Sequence, residues 1–513
     1  MTVAATTLGA VVAGHATHRP DAPAYVTRER VLTWAEYDAR AERLAATLVD
    51  DAITSGDRVA VLAPDGPAVH VAYLAIERAG GVIVGIGPRA GDREVEHLLV
   101  RTGASLLLST PETASLAARL GLGHRVLGDE SGPTGEASVA HHGRAVEDLW
   151  LLNSTSGTTG LPKCVMHDQA RWLAFHELAV EAGALTPDDV FMSVLPAPFG
   201  FGIWTGHVTP TVLGAPCVLM DRFDADECLA LIERERVSVL AAVSTQFVML
   251  LNTPTLAERD LSSLRVLFTG GEMVPYRRAA EFEDRTGCTV LQFYGSNETG
   301  ALSRTTLTDD REHRLRTAGR VIPSMHVRLF ADDGADVTAT GGPGIGACRG
   351  PVTCLGYYDD PEANARLYTN DGWMLTGDLC TIDGDGYLTV AGRTSDFIIR
   401  GGKNISAAQV EDEVSTHPAV ALAAAVAMPD PVFGERVCVY VEPRDATVAP
   451  TLEALRDHLE ARGVGKELWP ERLEVRDRLP RSSGEKVAKG ELRDDVRDLL
   501  ASEGKSRGER ERL

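Results

Sequence analysis

The sequence predicts an α/β protein of at least two domains, and three observations carry that reading. The chain has 513 residues, 44% apolar and 24% charged, which is enough to bury a large core and too much for one compact unit. In the first 150 residues, short apolar runs alternate with amphipathic stretches of helical length. No internal repeat is present, which sets aside solenoids and propellers.

The elements follow in order. Residues 59–62 (Val-Ala-Val-Leu) form a strand-like run, 69–79 an amphipathic helix and 82–84 (Val-Ile-Val) a second strand, the rhythm of parallel strands joined by crossover helices. Residues 128–143 hold Gly128, Gly132, Pro133, Gly135 and Gly143 and read as a surface connection. Strand-like runs recur at 191–195, 237–243 and 266–268, with a helix predicted over 244–251. The charged end, 504–513, reads as a mobile tail.

Composition excludes several classes. Lys+Arg 51 against Asp+Glu 73 gives a formal charge of -22, which opposes general binding to nucleic acid or an anionic membrane. No apolar run approaches the ~18 residues of a membrane span, and no basic leader with an apolar core opens the chain. The eight cysteines are scattered, with no Cys-x-x-Cys pair and no zinc spacing, so the expected setting is a soluble protein in a reducing cytoplasm.

The chemistry centres on Ser154-Thr155-Ser156-Gly157-Thr158-Thr159-Gly160-Leu161-Pro162-Lys163, with five hydroxyls, two glycines and a lysine in ten residues. Glycines let backbone amides approach a phosphate, hydroxyls donate to its oxygens and the lysine adds a cation. No Gly-Lys-Ser/Thr closes the stretch, so it is not a Walker loop; the plain alternative is a flexible linker. Further on stand Pro196-Ala197-Pro198-Phe199-Gly200-Phe201-Gly202, Thr269-Gly270-Gly271-Glu272 and Gln292-Phe293-Tyr294-Gly295-Ser296-Asn297-Glu298-Thr299-Gly300. After them come Arg349-Gly350-Pro351 through Tyr358, Thr376-Gly377-Asp378, Gly392-Arg393-Thr394-Ser395-Asp396, Gly401-Gly402-Lys403, and Leu479-Pro480-Arg481 through Lys486 to Arg493. Singly, each is also an ordinary turn, packed strand end or solvated loop.

In this order, and over nearly the whole chain, these motifs resemble the adenylate-forming superfamily of acyl-CoA and aryl-CoA ligases, nonribosomal adenylation domains and beetle luciferases. The resemblance implies an N-terminal AMP-binding domain of mixed sheets and helices, 1–395, and a smaller mobile α+β C-terminal domain, 396–513, swinging about Asp396. It implies ATP and magnesium, with CoA as thiol acceptor. Thr155, Ser156, Gly157, Thr158, Thr159 and Lys163 would hold phosphates. Gly270, Gly271, Glu272 and Tyr294 would border the adenine, and Asp378 and Arg393 would serve the rest of the nucleotide. Glu298 would ligate the metal, a hard oxygen for a hard cation. Asn297 stands where the family has threonine and would serve the nucleotide, since an amide can still hydrogen-bond a phosphate; Phe199 stands where many members carry a histidine beside the acyl pocket. That pocket would include Phe201 and Gly295, and Gly401 and Gly402 would border the thiol channel. Lys486 would bridge the carboxylate and the α-phosphate, with Lys489 as the other possibility and Glu485 in place of the usual glycine.

The implied reaction is activation of a carboxylic acid as acyl-adenylate, then transfer to a thiol. Residues 462–474 and 287–290 are similar to aryl-acid members, which favours an aromatic or cyclic acid. No carrier-protein segment follows residue 493, so a carrier would be a separate chain. Rival readings are activation of a small oxyanion such as nitrite, a luciferase-like oxygenase and a non-catalytic nucleotide binder.

Overall fold

The computed structural model describes residues 6–128, 144–155, 162–393, 396–401, 403–445, 447–482 and 486–510. Among them the strands form four sheets, of six, nine, four and five members. The first is the predicted parallel array. Arg58–Leu62 pairs in parallel with both Val82–Gly85 and Leu106–Ser109, and the set extends to Gly123–Val126 on one side and Leu151–Ser154 on the other. Pro67–Arg78 and Asp92–Thr102 are crossover helices. Val82–Gly85 is buried along its whole length, which explains its unbroken apolar run.

The sixth strand, Cys164–His167, folds back antiparallel on Leu151–Ser154. The hydroxyl- and glycine-rich stretch therefore joins the two arms of a hairpin. Its residues 156–161, with Ser156, Gly157, Thr158 and Thr159, lie outside the described residues, as does the connection 129–143.

The nine-stranded sheet has a parallel centre of Phe191–Ser193, Val239–Ala241, Val266–Gly270 and Thr289–Ser296. The first two are shorter than their apolar runs. Beyond Ser193 the chain meets Pro196 and Pro198, which have no N–H to give a ladder. Thr289–Ser296 then pairs antiparallel with Gly300–Arg304. One continuous core joins the two large sheets: Val59, Val61 and Ile83 share it with Phe191, Phe268 and Leu291, and with Trp172 and Phe175 of helix Gln169–Gly183. A π-helical segment, Ile203–Val208, follows the Pro/Gly/Phe stretch and was not foreseen by its periodicity.

A four-stranded antiparallel sheet, His326–Phe330, Gly344–Arg349, Met374–Ile382 and Leu388–Arg393, ends just before Asp396. Every strand of the remaining sheet follows Asp396, and it packs its own core of Ile398, Val410, Val414, Val439, Leu455 and Leu459. This is the smaller C-terminal domain. Residues 394–395, beside the expected boundary, lie outside the described residues.

The other face of that sheet is covered by helix Lys489–Arg510, whose Leu492 and Val496 pack on Cys438 and Tyr440. The charged tail expected at 504–513 continues this helix through residue 510, and 511–513 lie outside the described residues. Glu, Lys and Arg favour a helix once its first turns are anchored. All eight cysteines are buried and unpaired. Among the described residues, no helix is long and apolar enough to cross a membrane.

Candidate active site

Glu298 sits in the tight hairpin between Thr289–Ser296 and Gly300–Arg304. Ser296 Oγ donates to one of its oxygens and Tyr357 Oη to the other, both at 2.8 Å. The Lys163 ammonium lies over the Tyr357 ring, 4.7 Å from its centroid. Burial, and then the Glu298 charge, hold the Tyr357 hydroxyl proton well above the ordinary range. Two donors leave the carboxylate with lone pairs to spare. Gly295, expected in a substrate pocket, has a structural reason to be glycine: a Cβ there would stand 1.6 Å from the Gly300 carbonyl oxygen.

Asn297 does more than replace a threonine. Its Nδ2 donates to Asn153 Oδ1 at 2.6 Å, and Asn153 Nδ2 donates back at 3.1 Å and to the Pro198 carbonyl at 2.8 Å. His167 Nε2 stands 2.8 Å from the same Asn153 Oδ1, while Arg171 meets His167 Nδ1. A guanidinium can only donate, so Nδ1 accepts and the ring proton rests on Nε2, pointing at Asn153. Burial and the Arg171 cation keep His167 neutral, far below its usual pKa. Arg171 is itself buried and has no carboxylate within ion-pair distance among the described residues. This relay clamps Asn297 to the strand that enters the phosphate loop. Sequence reasoning missed Asn153, His167, Arg171 and Tyr357; the one available signal was Asn153 immediately before the loop.

A second group of predicted residues is built from the ends of three strands. Asp378, in Met374–Ile382, is in register with Arg393, in Leu388–Arg393. Tyr294 Oη donates to Asp378 Oδ2 at 2.8 Å. Arg393 Nε lies 3.2 Å from Oδ1, within ion-pair range but without hydrogen-bond geometry, so that buried oxygen keeps no hydrogen-bond partner. Burial pushes the Asp378 pKa up, with Arg393 and Tyr294 opposing. Strand Val266–Gly270 ends beside it. A Cβ on Gly270 would lie 2.2 Å from the Phe293 carbonyl oxygen, and Gly271 turns through φ +75°. Glu272 Oε1 accepts from the Thr245 amide at 3.0 Å, fixing the start of helix Ser244–Asn252.

Lys486 arrives from the C-terminal domain. Its ammonium donates to the Gly271 carbonyl at 2.6 Å. Burial, and next among the depressing effects Arg393, lower its pKa, while Glu272, Glu298 and Asp378 pull it back up. Lys489 goes elsewhere: its Nζ is 2.7 Å from Glu411 inside the C-terminal domain. Of the two lysines, only Lys486 reaches these groups. Glu485 lies outside the described residues.

The remaining predicted residues are placed as follows. Thr155 and Lys163 close the base of the loop, with the Thr155 amide donating to the Lys163 carbonyl at 3.0 Å. Phe199 is half-buried at the head of the turn into Gly200–Gly202. Phe201 stacks into an aromatic group with Trp204, 5.9 Å between ring centroids, and a Cβ on Gly270 would lie 3.2 Å from its ring. Asp396 Oδ1 accepts from Arg493 at 2.5 Å. Gly401 is the φ +58° turn between Phe397–Arg400 and Lys403–Ser406, and its neighbour is Phe433 rather than any group around Lys486. Gly402 lies outside the described residues.

Comparisons with known proteins agree with this geometry. A family model described as AMP-binding enzyme matches residues 12–358, and one described as AMP-binding enzyme C-terminal domain matches residues 409–486. A feruloyl-CoA synthase from Amycolatopsis sp is 36% identical over 476 residues, 90% of this chain and 93% of that protein. A medium-chain fatty-acid–CoA ligase from Escherichia coli (strain K12) is 32% identical over 505 residues, 92% of this chain and 87% of that protein. The solved structure of ATP-bound MatB from Rhodopseudomonas palustris superposes with a TM-score of 0.83 at 27% identity, covering 96% of this chain and 99% of that one. Matches that run through both domains at this identity and coverage place the chain in the AMP-binding enzyme family.

Proposed function

We propose that this AMP-forming ligase activates an aromatic or cyclic carboxylic acid with ATP and then passes the acyl group to CoA. The observation that carries the reading is the reach of Lys486 across the domain seam to Gly271, among Glu272, Glu298 and Asp378. A carboxylate oxygen is a poor leaving group, and AMP solves that difficulty. A carboxylate oxygen attacks the α-phosphorus, and the bond to the bridging oxygen breaks with its electrons leaving on pyrophosphate. The thiol then attacks the acyl carbon, loses its proton and displaces AMP.

In this reading the Lys486 ammonium lies between the carboxylate and the α-phosphate, where charge builds up. Lys163, Thr155 and the loop 156–159 hold the departing pyrophosphate. The open oxygen of Asp378 accepts from the ribose, Arg393 steadies that carboxylate, and Tyr294 with Gly270, Gly271 and Glu272 borders the adenine. Among the described residues no group of three or more His, Cys, Asp or Glu side chains could hold a metal unaided. A magnesium ion carried by one carboxylate and substrate phosphates suits Glu298, whose two donors are hydroxyls and whose lone pairs are not exhausted. Magnesium, when bound there, would neutralise phosphate charge. Asp396 serves as hinge for the second step, with Gly401 and Gly402 towards the thiol. Similarity to a feruloyl-CoA synthase, together with apolar Phe199 and Phe201, supports the aromatic acid. Eight unpaired thiols suit a reducing cytoplasm.

The test is exchange of labelled pyrophosphate into ATP without CoA, over aryl, cyclic and aliphatic acids and nitrite. Exchange with an aryl or cyclic acid is expected, followed by thioester formation when CoA is added. Silence across all carboxylates would overturn the reading, and a signal from nitrite alone would replace it with oxyanion activation. Adenylate formation without transfer to CoA would point to a separate carrier protein.

A further inference from the structure

Away from Lys486, the seam between the domains holds a solvent-open cleft of about 220 Å³. Arg277 and Arg278 reach it from the first turn of helix Tyr276–Thr286 in the N-terminal domain. Arg444, just past strand Gly434–Pro443, and Arg462, just past helix Leu452–Ala461, reach it from the C-terminal domain. Four guanidinium groups thus converge on one space in a chain of formal charge -22.

Among the described residues, carboxylates pair with only two of them. Arg278 pairs with Glu281 at 2.5 Å. Its Nη2, however, shares a single neutral acceptor, Asn252 Oδ1, with Arg444 Nη1 from the other domain. Among the described residues, neither Arg277 nor Arg444 has a carboxylate within ion-pair distance. Arg462 gives one nitrogen to Glu413 at 3.4 Å, but its Nε is buried without a hydrogen-bond partner. Glu281 and Asp412 line the same cleft: Glu281 is engaged by Arg278, while Asp412 forms no ion pair with the four arginines among the described residues and keeps a buried Oδ1 without a hydrogen-bond partner. One buried donor left open, Arg462 Nε, beside two solvent-exposed guanidinium groups without carboxylate partners among the described residues, Arg277 and Arg444, leaves this space in need of an anion.

We propose that this cleft binds a phosphate group, gripped by Arg277 and Arg278 from one domain and by Arg444 and Arg462 from the other. Guanidinium forks match the oxygens of a phosphate in pairs, and charge assistance makes those contacts strong. The group is a free phosphate or pyrophosphate ion, because this seam is formed in the arrangement with Lys486 at Gly271, the one that in the ligase reading precedes the swing towards the thiol. Because both domains contribute, the anion binds only where they meet and stabilises that arrangement by mass action.

Equilibrium dialysis of the full chain tests this, with labelled inorganic phosphate, pyrophosphate, CoA and dephospho-CoA as probes. The proteins are wild type, the double variant R277Q/R444Q and the single variant R462Q, each checked for folding by circular dichroism. Saturable phosphate binding is expected in wild type, weakened about tenfold for each arginine removed. CoA binding more tightly than dephospho-CoA in wild type, but not in the double variant, would overturn the assignment to a free anion. Loss confined to the inorganic ions would assign it to free anions. Equal binding of every probe to wild type and variants, or no saturable phosphate binding at all, overturns the proposal. No acid or ATP enters the assay, so its failure is distinct from failure of the ligase reading.

Discussion

Lys486 carries a positive charge into a place where burial and Arg393 work against it and three carboxylates hold it. Lys486→Ala should cut pyrophosphate exchange by ~10²–10³, the scale of losing one aligned donor at a charge that builds up in the transition state. Transfer from a supplied acyl-adenylate to CoA should survive, and equal loss of both steps would remove Lys486 from the first. The relay at Asn153 makes a different kind of prediction. Asn153→Leu leaves Asn297 and the Nε2 proton of His167 without partners, at a cost of about 1–3 kcal/mol for each stranded group. The thermal midpoint should fall, and the Michaelis constant for ATP should rise as Asn297 comes loose; an unchanged midpoint would mean the groups find other partners. Lys486, Glu298 and Asp378 were legible because each lies in a motif whose order along the chain constrains it. Asn297 was legible as the motif's threonine position, but its partners Asn153, His167 and Arg171 were not, since no periodicity links them and only folding closes them into one chain of hydrogen bonds.

The hinge belongs to the scale of elements. Asp396 stands between the last strand of one sheet and the first of the next, and its carboxylate is tied to Arg493. Asp396→Pro should fix the backbone there, sparing pyrophosphate exchange and abolishing thioester formation. Asp396→Ala removes the carboxylate without locking the backbone and should keep both steps; thioester formation by the proline variant at the wild-type rate would place the pivot elsewhere. The parallel array around Arg58–Leu62 could be read in advance because buried parallel strands and crossover helices have different periods. The π-helical turn Ile203–Val208 could not, because it breaks the helical period itself. The terminal helix was masked by its charge: Leu492 and Val496 hold its beginning, while its end has only propensity to show in the sequence.

Across the whole molecule, buried neutral histidines couple stability to pH. Burial lowers the pKa of His176 to about 4 and holds those of His167 and His207 well below the ordinary imidazole value. The unfolded chain takes up a proton on each near its ordinary pKa, about 6.5, while the folded chain does not. Their contribution to stability is therefore complete above about pH 6.5 and lost as the pH falls towards the folded values, by ~1.4 kcal/mol per pH unit for each histidine. His176→Gln retains a partner for Thr209 and carries no titrating ring. Its thermal midpoint relative to wild type should rise steadily between about pH 6.5 and 5, and a constant offset would show that His176 already protonates in the folded chain.

The buried cysteines have a practical consequence. None of the eight is paired or exposed, and burial lifts Cys164 and Cys354 to about 11 and Cys348, Cys380 and Cys438 to about 12. Thiolate is the species that reacts with maleimides, and near neutral pH these side chains supply almost none. The native chain is accordingly a silent background for labelling. One cysteine introduced on the face of each domain would accept a donor and an acceptor fluorophore without removing any native thiol, and the energy transfer between them would follow the C-terminal domain through a catalytic cycle in real time.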